Sequence, residues 1–154
     1  MAVEIERKYL VKDLSFKKLS TGVLYKQGYL SEDSNNTVRI RIIGTKGLLT
    51  IKGPTIGISR AEYEYEIPIA DAEEMMESMC LKPVIQKYRY TFKYKGFTWE
   101  VDEFLQENNG LIVAEIELKD ENHIFTKPDF IGDEVTDDHR YRNSYLALHP
   151  YKTW

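Results

Sequence analysis

The feature that most limits how this chain can fold is a two-residue alternation of apolar and charged side chains. Along residues 3–11, Val3 and Ile5 lie on one parity, whereas Glu4 and Lys8 lie on the other. Because successive side chains of a β-strand point to opposite faces, this pattern predicts a strand with one apolar face and one charged face.

The same alternation recurs along most of the chain, and it predicts an antiparallel sheet. Turns are indicated at Lys95-Gly96 and at Asn108-Asn109-Gly110. Together with residues 3–11, these segments give about eight strands that are joined mostly by short connections. The further predicted strands are 24–30, 38–42, 49–52, 60–69, 87–94, 97–102 and 113–119.

Helical signals are few, and they lie between or after the strands. Residues 71–80 predict a helix that opens with a capping box formed by Asp71 and Glu74. A second helix is predicted within residues 136–148. The predicted fold class is therefore α+β, mainly antiparallel β, in a single domain that spans residues 1–154.

The composition narrows the classes of function. The chain has 21 Lys and Arg against 25 Asp and Glu, and this lack of a basic excess argues against a nucleic-acid partner. No apolar run approaches the roughly 18 residues of a membrane span, and the acidic amino terminus is unlike a signal peptide. Because Cys80 is the one cysteine, no intramolecular disulfide or cysteine-based zinc site can form. These features predict a cytoplasmic protein without a membrane partner.

The charged strand faces allow two interpretations. In the simpler one, an antiparallel sheet turns its charged face to water. A solvated face usually mixes Ser, Thr, Asn and Gln with its charges, however, whereas these faces are nearly pure carboxylate, ammonium and guanidinium. Curling the sheet into a closed barrel with the charged face inward removes the unpaired edges and gives a polar lumen. We therefore predict a closed eight-stranded β-barrel tunnel with a charged lumen, flanked by a few helices.

A lumen with both signs of charge is costly unless the charges pair or hold a ligand that carries both signs. A phosphate chain with a divalent metal ion is such a ligand. Alternate residues on a strand lie roughly 6.6 Å apart on one face, so Glu4 with Glu6, or Glu115 with Glu117, can converge on one hard cation. Basic side chains such as Arg39 can then neutralise phosphate oxygens.

These segments resemble the CYTH superfamily, the triphosphate tunnel metalloenzymes, and especially its short bacterial inorganic triphosphatases. The opening Glu4-Ile5-Glu6-Arg7-Lys8 is similar to the E-x-E-R-K signature of that family. Other pieces match in order over nearly the whole chain. They are residues 25–30, 38–41, 50–53, 60–68, 87–89, 100–102, 114–118 and 132–136.

The resemblance implies a tunnel that binds a triphosphate together with one or two divalent metal ions, Mg²⁺ or Mn²⁺. The implied metal ligands are Glu4, Glu6, Glu115, Glu117 and Asp102. The implied phosphate-binding residues are Lys8, Lys26, Arg39, Arg41, Lys52, Lys87 and Arg89. The implied catalytic residues are Glu62, Glu64, Lys8 and Lys87. By the same resemblance, a second metal or the attacking water is held by Glu62, Glu64 and Asp102.

The expected activity is metal-dependent hydrolysis of inorganic triphosphate to pyrophosphate and phosphate, because the chain has little beyond the tunnel to hold a nucleobase. A water held by the metal or by a carboxylate attacks a terminal phosphorus in line, without a covalent nucleophile. The alternatives are a class IV adenylate cyclase that makes cyclic AMP and pyrophosphate from ATP, a nucleoside or thiamine triphosphatase, and a non-catalytic polyphosphate-binding module. The partner is a small-molecule polyanion in each case, and a homodimer is left open.

Other conspicuous residues are assigned no chemistry. His123, His139 and His149 lack the H-E-x-x-H spacing of a zinc helix. Tyr29 is expected to pack within the sheet, with substrate contact near the mouth as the alternative. Arg140 and Arg142 are expected at the surface, with a plug or a substrate contact as the alternative. The chain has no P-loop motif, so any phosphate site is built from side chains.

Overall fold

Strands make up most of the computed structural model, which describes residues 3–31, 33 and 35–154. Met1 and Ala2, where the predicted acidic amino terminus begins, lie outside the described residues. The helices are α1 (Ile69–Ser78) and α2 (Asn143–Leu148). The strands are β1 (Val3–Val11), β2 (Val23–Tyr29), β3 (Thr37–Ile43), β4 (Lys46–Ile56), β5 (Ser59–Ile67), β6 (Ile85–Tyr94), β7 (Phe97–Phe104), β8 (Ile112–Glu117) and β9 (Ile131–Glu134).

The strands form one sheet that closes on itself. In the order β5-β4-β3-β2-β6-β7-β8-β1, each strand pairs with the next, and β1 pairs again with β5. The pairings are antiparallel throughout the ring. This ring confirms the predicted closed barrel, in which the short pairing of β1 with β5 joins the two ends of the sheet. Strand β9 lies beside β1 as an additional strand outside the ring.

Strand β1 divides one of its edges between two partners. Its first residues pair with β5, where Glu4 lies opposite Arg60, and its later residues pair with β9. We call the short pairing of residues 3–5 with residues 59–61 the seam of the barrel. The seam completes the ring, so it positions the charged side chains of β1 against those of β5.

The apolar faces of most strands lie outside the barrel, beneath helices and loops. Ile40 of β3 packs with Ala72 and Met76 of α1. On the opposite side, a cluster around Trp99 of β7 includes Tyr9 of β1. Burying a large apolar side chain contributes about 1.5–3 kcal/mol. Because this packing lies on the outer faces, it directs the alternate, charged side chains into the lumen.

Helix α2 closes one end of the lumen. Its Leu146 is fully buried against Tyr29, Ile85, Phe104 and Val113. These four share the parity of the lumen-facing residues on β2, β6, β7 and β8, so they face inward. The end of the barrel beneath α2 is therefore filled by apolar side chains.

Local departures from the predicted elements have simple causes. Helix α1 begins at Ile69 after Pro68, with no side-chain cap, so the predicted capping box is wrong: Asp71 already lies within the first turn. Within the range of the predicted second helix, the structure has a short 3-10 helix at His139–Tyr141, followed by α2 from residue 143. Strand β9 was not predicted, because four residues with two acids give too little alternation. The hairpin turn at Lys95-Gly96 is confirmed, since both have positive φ, as a tight turn between antiparallel strands requires.

None of the helices in the described part of the chain is long and apolar enough to cross a membrane.

Candidate active site in the barrel lumen

The lumen forms a cavity of about 670 Å³. Side chains from all the ring strands line it, because every second residue of each strand points inward. The structure brings together most of the predicted site residues at this cavity. Those that line it are Glu4, Glu6, Lys8, Arg39, Arg41, Lys52, Glu62, Glu64, Lys87, Arg89, Glu115 and Glu117.

Lys26 does not lie in the lumen, contrary to the prediction. It is exposed on the outer face of β2, because Tyr25, Gln27 and Tyr29 are the residues of that strand that face inward. The charge of Lys26 suggested an inner position, but the strand register assigns its inner face to uncharged polar side chains.

Strands β3 and β6 contribute a basic wall, which we define as Arg39, Arg41, Lys87 and Arg89. All four side chains are buried. Strand β2 lies between β3 and β6 in the sheet, so it separates the two pairs of cations. Since a buried charge is costly without a partner, the contacts of this wall determine whether it is stable.

Asp102 of β7 is the main counterion of the basic wall. Its carboxylate accepts hydrogen bonds from Lys87 Nζ at 2.7 Å and from Arg89 Nε and Nη2 at 2.8 and 2.9 Å. Although burial acts to raise its pKa, Arg89 and Lys87 hold the pKa of Asp102 below its usual range. Asp102 does not line the cavity, and these cations engage both of its oxygens, so its position is that of a buried counterion; its role as a metal ligand stays a prediction.

Burial and repulsion between cations lower the pKa of two members of this wall, Lys87 and Arg41. Burial, followed by the charge of Arg89, lowers the pKa of Lys87 to about 7 even though Asp102 acts in the opposite direction. Burial, followed by Arg39 and Arg89, lowers the pKa of Arg41 to about 10. The wall therefore concentrates more positive charge than its counterion neutralises.

Tyr25 of β2 lies between two of these cations. The guanidinium carbons of Arg41 and Arg89 lie 4.9 and 5.0 Å from the centre of its ring. The register explains this position, since Tyr25 pairs with Ile43 and with Lys87, and each arginine is two residues away from one of these partners. The electron-rich ring face attracts both guanidinium groups and lessens their mutual repulsion.

The opposite side of the lumen is an acidic wall, which we define as Glu4 and Glu6 of β1, Glu62 of β5, and Glu115 and Glu117 of β8. These three strands are neighbours in the ring. Glu117 is exposed at the rim, whereas Glu115 is buried.

Lys52 of β4 bridges two carboxylates of the acidic wall. Its Nζ lies 2.8 Å from Glu4 Oε2 and 3.1 Å from Glu62 Oε2. Burial acts to raise the pKa of Glu4, but the charge of Lys52 lowers it to about 2. In contrast, burial and hydrogen bonding to Glu4 raise the pKa of Glu62. The two neighbouring carboxyl groups therefore differ in their affinity for protons.

A second pair of carboxyl groups lies deeper in the acidic wall. Burial, and then the charges of Glu115 and Glu4, raise the pKa of Glu6 well above its usual range. Burial also acts to raise the pKa of Glu115, but Lys8, 3.8 Å away, brings it below the usual value. Nearby, burial and then Glu115 raise the pKa of Glu100 to about 7, against the effect of Arg89.

Glu64 has a position of its own at the junction of the two walls. Its Oε2 accepts a hydrogen bond from Thr50 Oγ1 at 2.8 Å and lies 3.4 Å from Arg39 Nη2. Glu64 thereby joins β5 to the basic wall across β4.

Several lumen residues were not predicted as site residues. Arg60, Glu100, Arg142 and Asn143 line the cavity. Arg60 and Glu100 share the parity of predicted site residues, so the alternation could have identified them. Arg142 and Asn143 follow no strand pattern, because they reach the lumen through the docking of α2.

The donor chemistry of the acidic wall fits a hard divalent cation, which prefers carboxylate and water oxygens. The pKa values of the adjacent carboxyl groups Glu6 and Glu115 are driven apart, as expected of crowded carboxyl groups, one of which favours its protonated form; a bound cation would favour the charged form of both. Among the residues that the structure describes, however, no group of three or more His, Cys, Asp or Glu side chains is arranged to hold a metal ion. Lysine contacts occupy carboxylates such as Glu4.

The fold and the site define an antiparallel barrel protein with a charged tunnel, in which a basic wall faces an acidic wall. The chain belongs to the CYTH domain family, whose model matches residues 2–145.

Two proteins with the name inorganic triphosphatase are similar to the chain. One, from Acetivibrio thermocellus, is 57% identical over 100% of this chain and 99% of its own length. The other, from Nitrosomonas europaea, is 36% identical over 94% of this chain and 97% of its own length.

Solved structures show the same architecture. A crystal structure of an inorganic triphosphatase superposes with a TM-score of 0.68 at 33% identity, covering 94% of this chain and 97% of that chain. A putative adenylyl cyclase from Hippeastrum superposes with a TM-score of 0.58 at 15% identity, covering 78% of this chain and 80% of that chain. At that identity the likeness concerns the fold alone.

Proposed function

We propose that this protein is an inorganic triphosphatase, which hydrolyses tripolyphosphate to pyrophosphate and phosphate within the barrel lumen. The observation that carries the proposal is the basic wall facing the acidic wall across one cavity. A triphosphate with a bound cation carries both signs of charge and matches this arrangement. The names of the two curated relatives support the same activity.

The basic wall binds the phosphate chain in this proposal. Among buried side-chain atoms in the described ranges, Arg39 Nε lacks a hydrogen-bond partner. A buried N–H without a partner is costly, and a phosphate oxygen at this position would satisfy it. Arg41 lies on the same strand as Arg39 and extends the cationic surface, while Lys8 and Lys52 reach the lumen from the side of the acidic wall, where they contact Glu115 and Glu4.

The acidic wall would hold the metal ion, Mg²⁺ or Mn²⁺, through Glu4, Glu6 and Glu115, with Glu117 at the rim. When bound, the ion supplies charge stabilisation to the phosphoryl group as it transfers. One or two ions are proposed, and Glu62 would contribute to holding the second.

Hydrolysis requires a water molecule oriented toward a terminal phosphorus. Glu62 and Glu64 lie on the same face of β5, at the edge of both walls. In the proposed step, the water oxygen forms a bond to the terminal phosphorus while the bridging P–O bond breaks, and pyrophosphate leaves with the bonding electrons. Because its pKa is raised, Glu62 can accept the proton released by the water. The cationic side chains stabilise the charge on the departing oxygen.

The test is phosphate release from tripolyphosphate by the purified protein with Mg²⁺ or Mn²⁺. Glu6→Gln removes a carboxylate from the acidic wall, so we expect kcat to fall about a hundredfold or more while tripolyphosphate still binds. Glu66→Gln is the matched control, because Glu66 is exposed on β5 and does not line the cavity. If the folded wild-type protein releases no phosphate with either metal, the proposal is wrong.

The same assay separates the alternatives. Cyclic AMP formed from ATP would identify a cyclase, and a higher kcat/KM for a nucleoside or thiamine triphosphate would change the substrate. Binding of tripolyphosphate without turnover of any triphosphate would indicate a binding module. The homodimer stays a prediction that light scattering of the purified protein can test.

A further inference from the structure

A hydrogen-bonded chain of amide groups connects the two halves of the basic wall. Asn143 Oδ1 accepts hydrogen bonds from Lys87 Nζ at 2.8 Å and from Gln27 Nε2 at 3.1 Å. Gln27 Oε1 in turn accepts a hydrogen bond from Arg41 Nε at 2.9 Å. Gln27 is fully buried, so its amide has no water to replace these bonds. We call this arrangement the amide relay.

Helix α2 brings Asn143 to this position. Asn143 is the first residue of the helix, and Leu146 anchors the following turn in the apolar end of the barrel. Asn143 thus lines the cavity from the carboxyl-terminal part of the chain, far in sequence from Gln27 and Lys87. The docking of one short helix therefore sets the position of two strand residues.

The amide relay accepts hydrogen bonds from Lys87 and Arg41 and leaves their positive charge unneutralised. Lys87 donates to Asp102 and to Asn143, which leaves one of its three N–H groups for a ligand. Arg41 donates Nε to Gln27 and keeps its terminal nitrogens for a ligand. A carboxylate at position 27 or 143 could accept the same bonds, but its negative charge would repel a phosphate chain.

We propose that Asn143 is a positioning residue that, directly and through Gln27, orients Lys87 and Arg41 toward the phosphate groups of the substrate. This inference rests on the proposed function for the identity of the substrate. Asn143 acts through the two cations, and the amide chemistry at positions 27 and 143 keeps the basic wall positive.

The experiment uses two substitutions of Asn143 in the full chain. Asn143→Leu keeps the approximate shape and removes the acceptor, whereas Asn143→Asp keeps the acceptor and adds a negative charge. We expect each to raise the Kd of tripolyphosphate, measured by calorimetry without metal, and the KM of hydrolysis by about tenfold or more. We expect kcat to change less than KM, because Asn143 does not contact the reacting atoms.

Met76→Ala is the control for a purely structural role. It removes buried packing of α1 against β3 and leaves α2 and the amide relay in place, so we expect a lower Tm with Kd and KM within about twofold of wild type. If the Asn143 variants resemble Met76→Ala, with a lower Tm and an unchanged Kd, the proposal is overturned. If Asn143→Leu does not fold, a wild-type Kd in Asn143→Asp overturns it equally.

The calorimetric measurement separates this inference from the proposed function. Wild-type protein that binds tripolyphosphate without releasing phosphate contradicts the proposed activity, while the comparison of Kd values still decides the role of Asn143. Wild-type protein that does not bind tripolyphosphate contradicts both.

Discussion

The two walls of the lumen carry opposite charges and differ in how those charges are held. On the basic wall, Asp102 and Gln27 supply neutralising or neutral partners to the cations. On the acidic wall, carboxyl groups lie beside one another, and the pKa of Glu6 rises because of burial and its acidic neighbours. The basic wall is therefore organised before any ligand binds, whereas the carboxyl groups of the acidic wall are crowded, and Glu6 favours its protonated form, a preference that a bound cation would reverse.

Removal of the metal ion should have the largest effect on activity of all the changes to the two walls. We expect that dialysis against a chelator abolishes tripolyphosphate hydrolysis, a loss of about a thousandfold or more, because the acidic wall then lacks its cation. Adding Mg²⁺ or Mn²⁺ should restore phosphate release, which a colorimetric assay measures. Undiminished turnover in the chelated protein would show that the acidic wall acts without a metal.

Asp102→Ala tests whether the basic wall depends on its buried counterion. Removing this carboxylate leaves Lys87 and Arg89 buried without their main partner, so we expect the free energy of unfolding to fall by about 3–5 kcal/mol. Denaturant titration measures the change. The control is Glu103→Ala, the next residue on β7, which breaks only an exposed ion pair with Lys17 and should cost less than about 1 kcal/mol. Equal losses in the two variants would contradict the role given to Asp102.

Tyr25→Leu tests whether the Tyr25 ring holds the arginines of the basic wall in position. Loss of the ring removes its attraction for Arg41 and Arg89, each worth roughly 0.5–2 kcal/mol, so we expect KM for tripolyphosphate to rise about tenfold. Tyr25→Phe keeps the ring and should retain a KM close to that of wild type. Similar KM values for the leucine and phenylalanine variants would remove the ring from the explanation.

Glu6→Gln should have the smallest effect on stability, although it is expected to abolish turnover. Because burial and neighbouring carboxylates raise the pKa of Glu6, an uncharged amide resembles the form that the metal-free lumen favours. We expect the free energy of unfolding without metal to stay within about 1 kcal/mol of wild type. A loss as large as that expected for Asp102→Ala would mean that the two walls are stabilised alike.

The sequence predicted the barrel because alternation is a local property. Each strand shows which residues share a face, and nearly pure charge on one face identifies the lumen side of β1 and β3. The same criterion gives the wrong face for β2, because Lys26 carries the charge but faces outward, while its neighbours Tyr25 and Gln27 face inward. Charge is then a poorer guide to orientation than the packing of the outer face.

The rest of the site depends on contacts between distant parts of the chain. Asn143 enters the lumen because Leu146 packs into the end of the barrel, and no periodicity near residue 143 records that docking. Asp102 shares the parity of metal-binding candidates, but its role follows from two cations on β6. Such roles are set by tertiary packing, which local patterns do not encode.

The seam is the part of the barrel that we expect to open most readily. Within the part of the chain that the structure describes, residues 3–5 meet residues 59–61 in the shortest ladder of the ring, whereas the neighbouring β4 and β5 pair along most of their length. Subglobal opening begins where the fewest hydrogen bonds must break, so amide hydrogens at the seam should exchange with solvent before those of β4 and β5. Glu4 lies on β1 and Glu62 on β5, the two strands that meet at the seam. Each opening of the seam would therefore part the barrel wall along its length and separate the two carboxylates that Lys52 bridges.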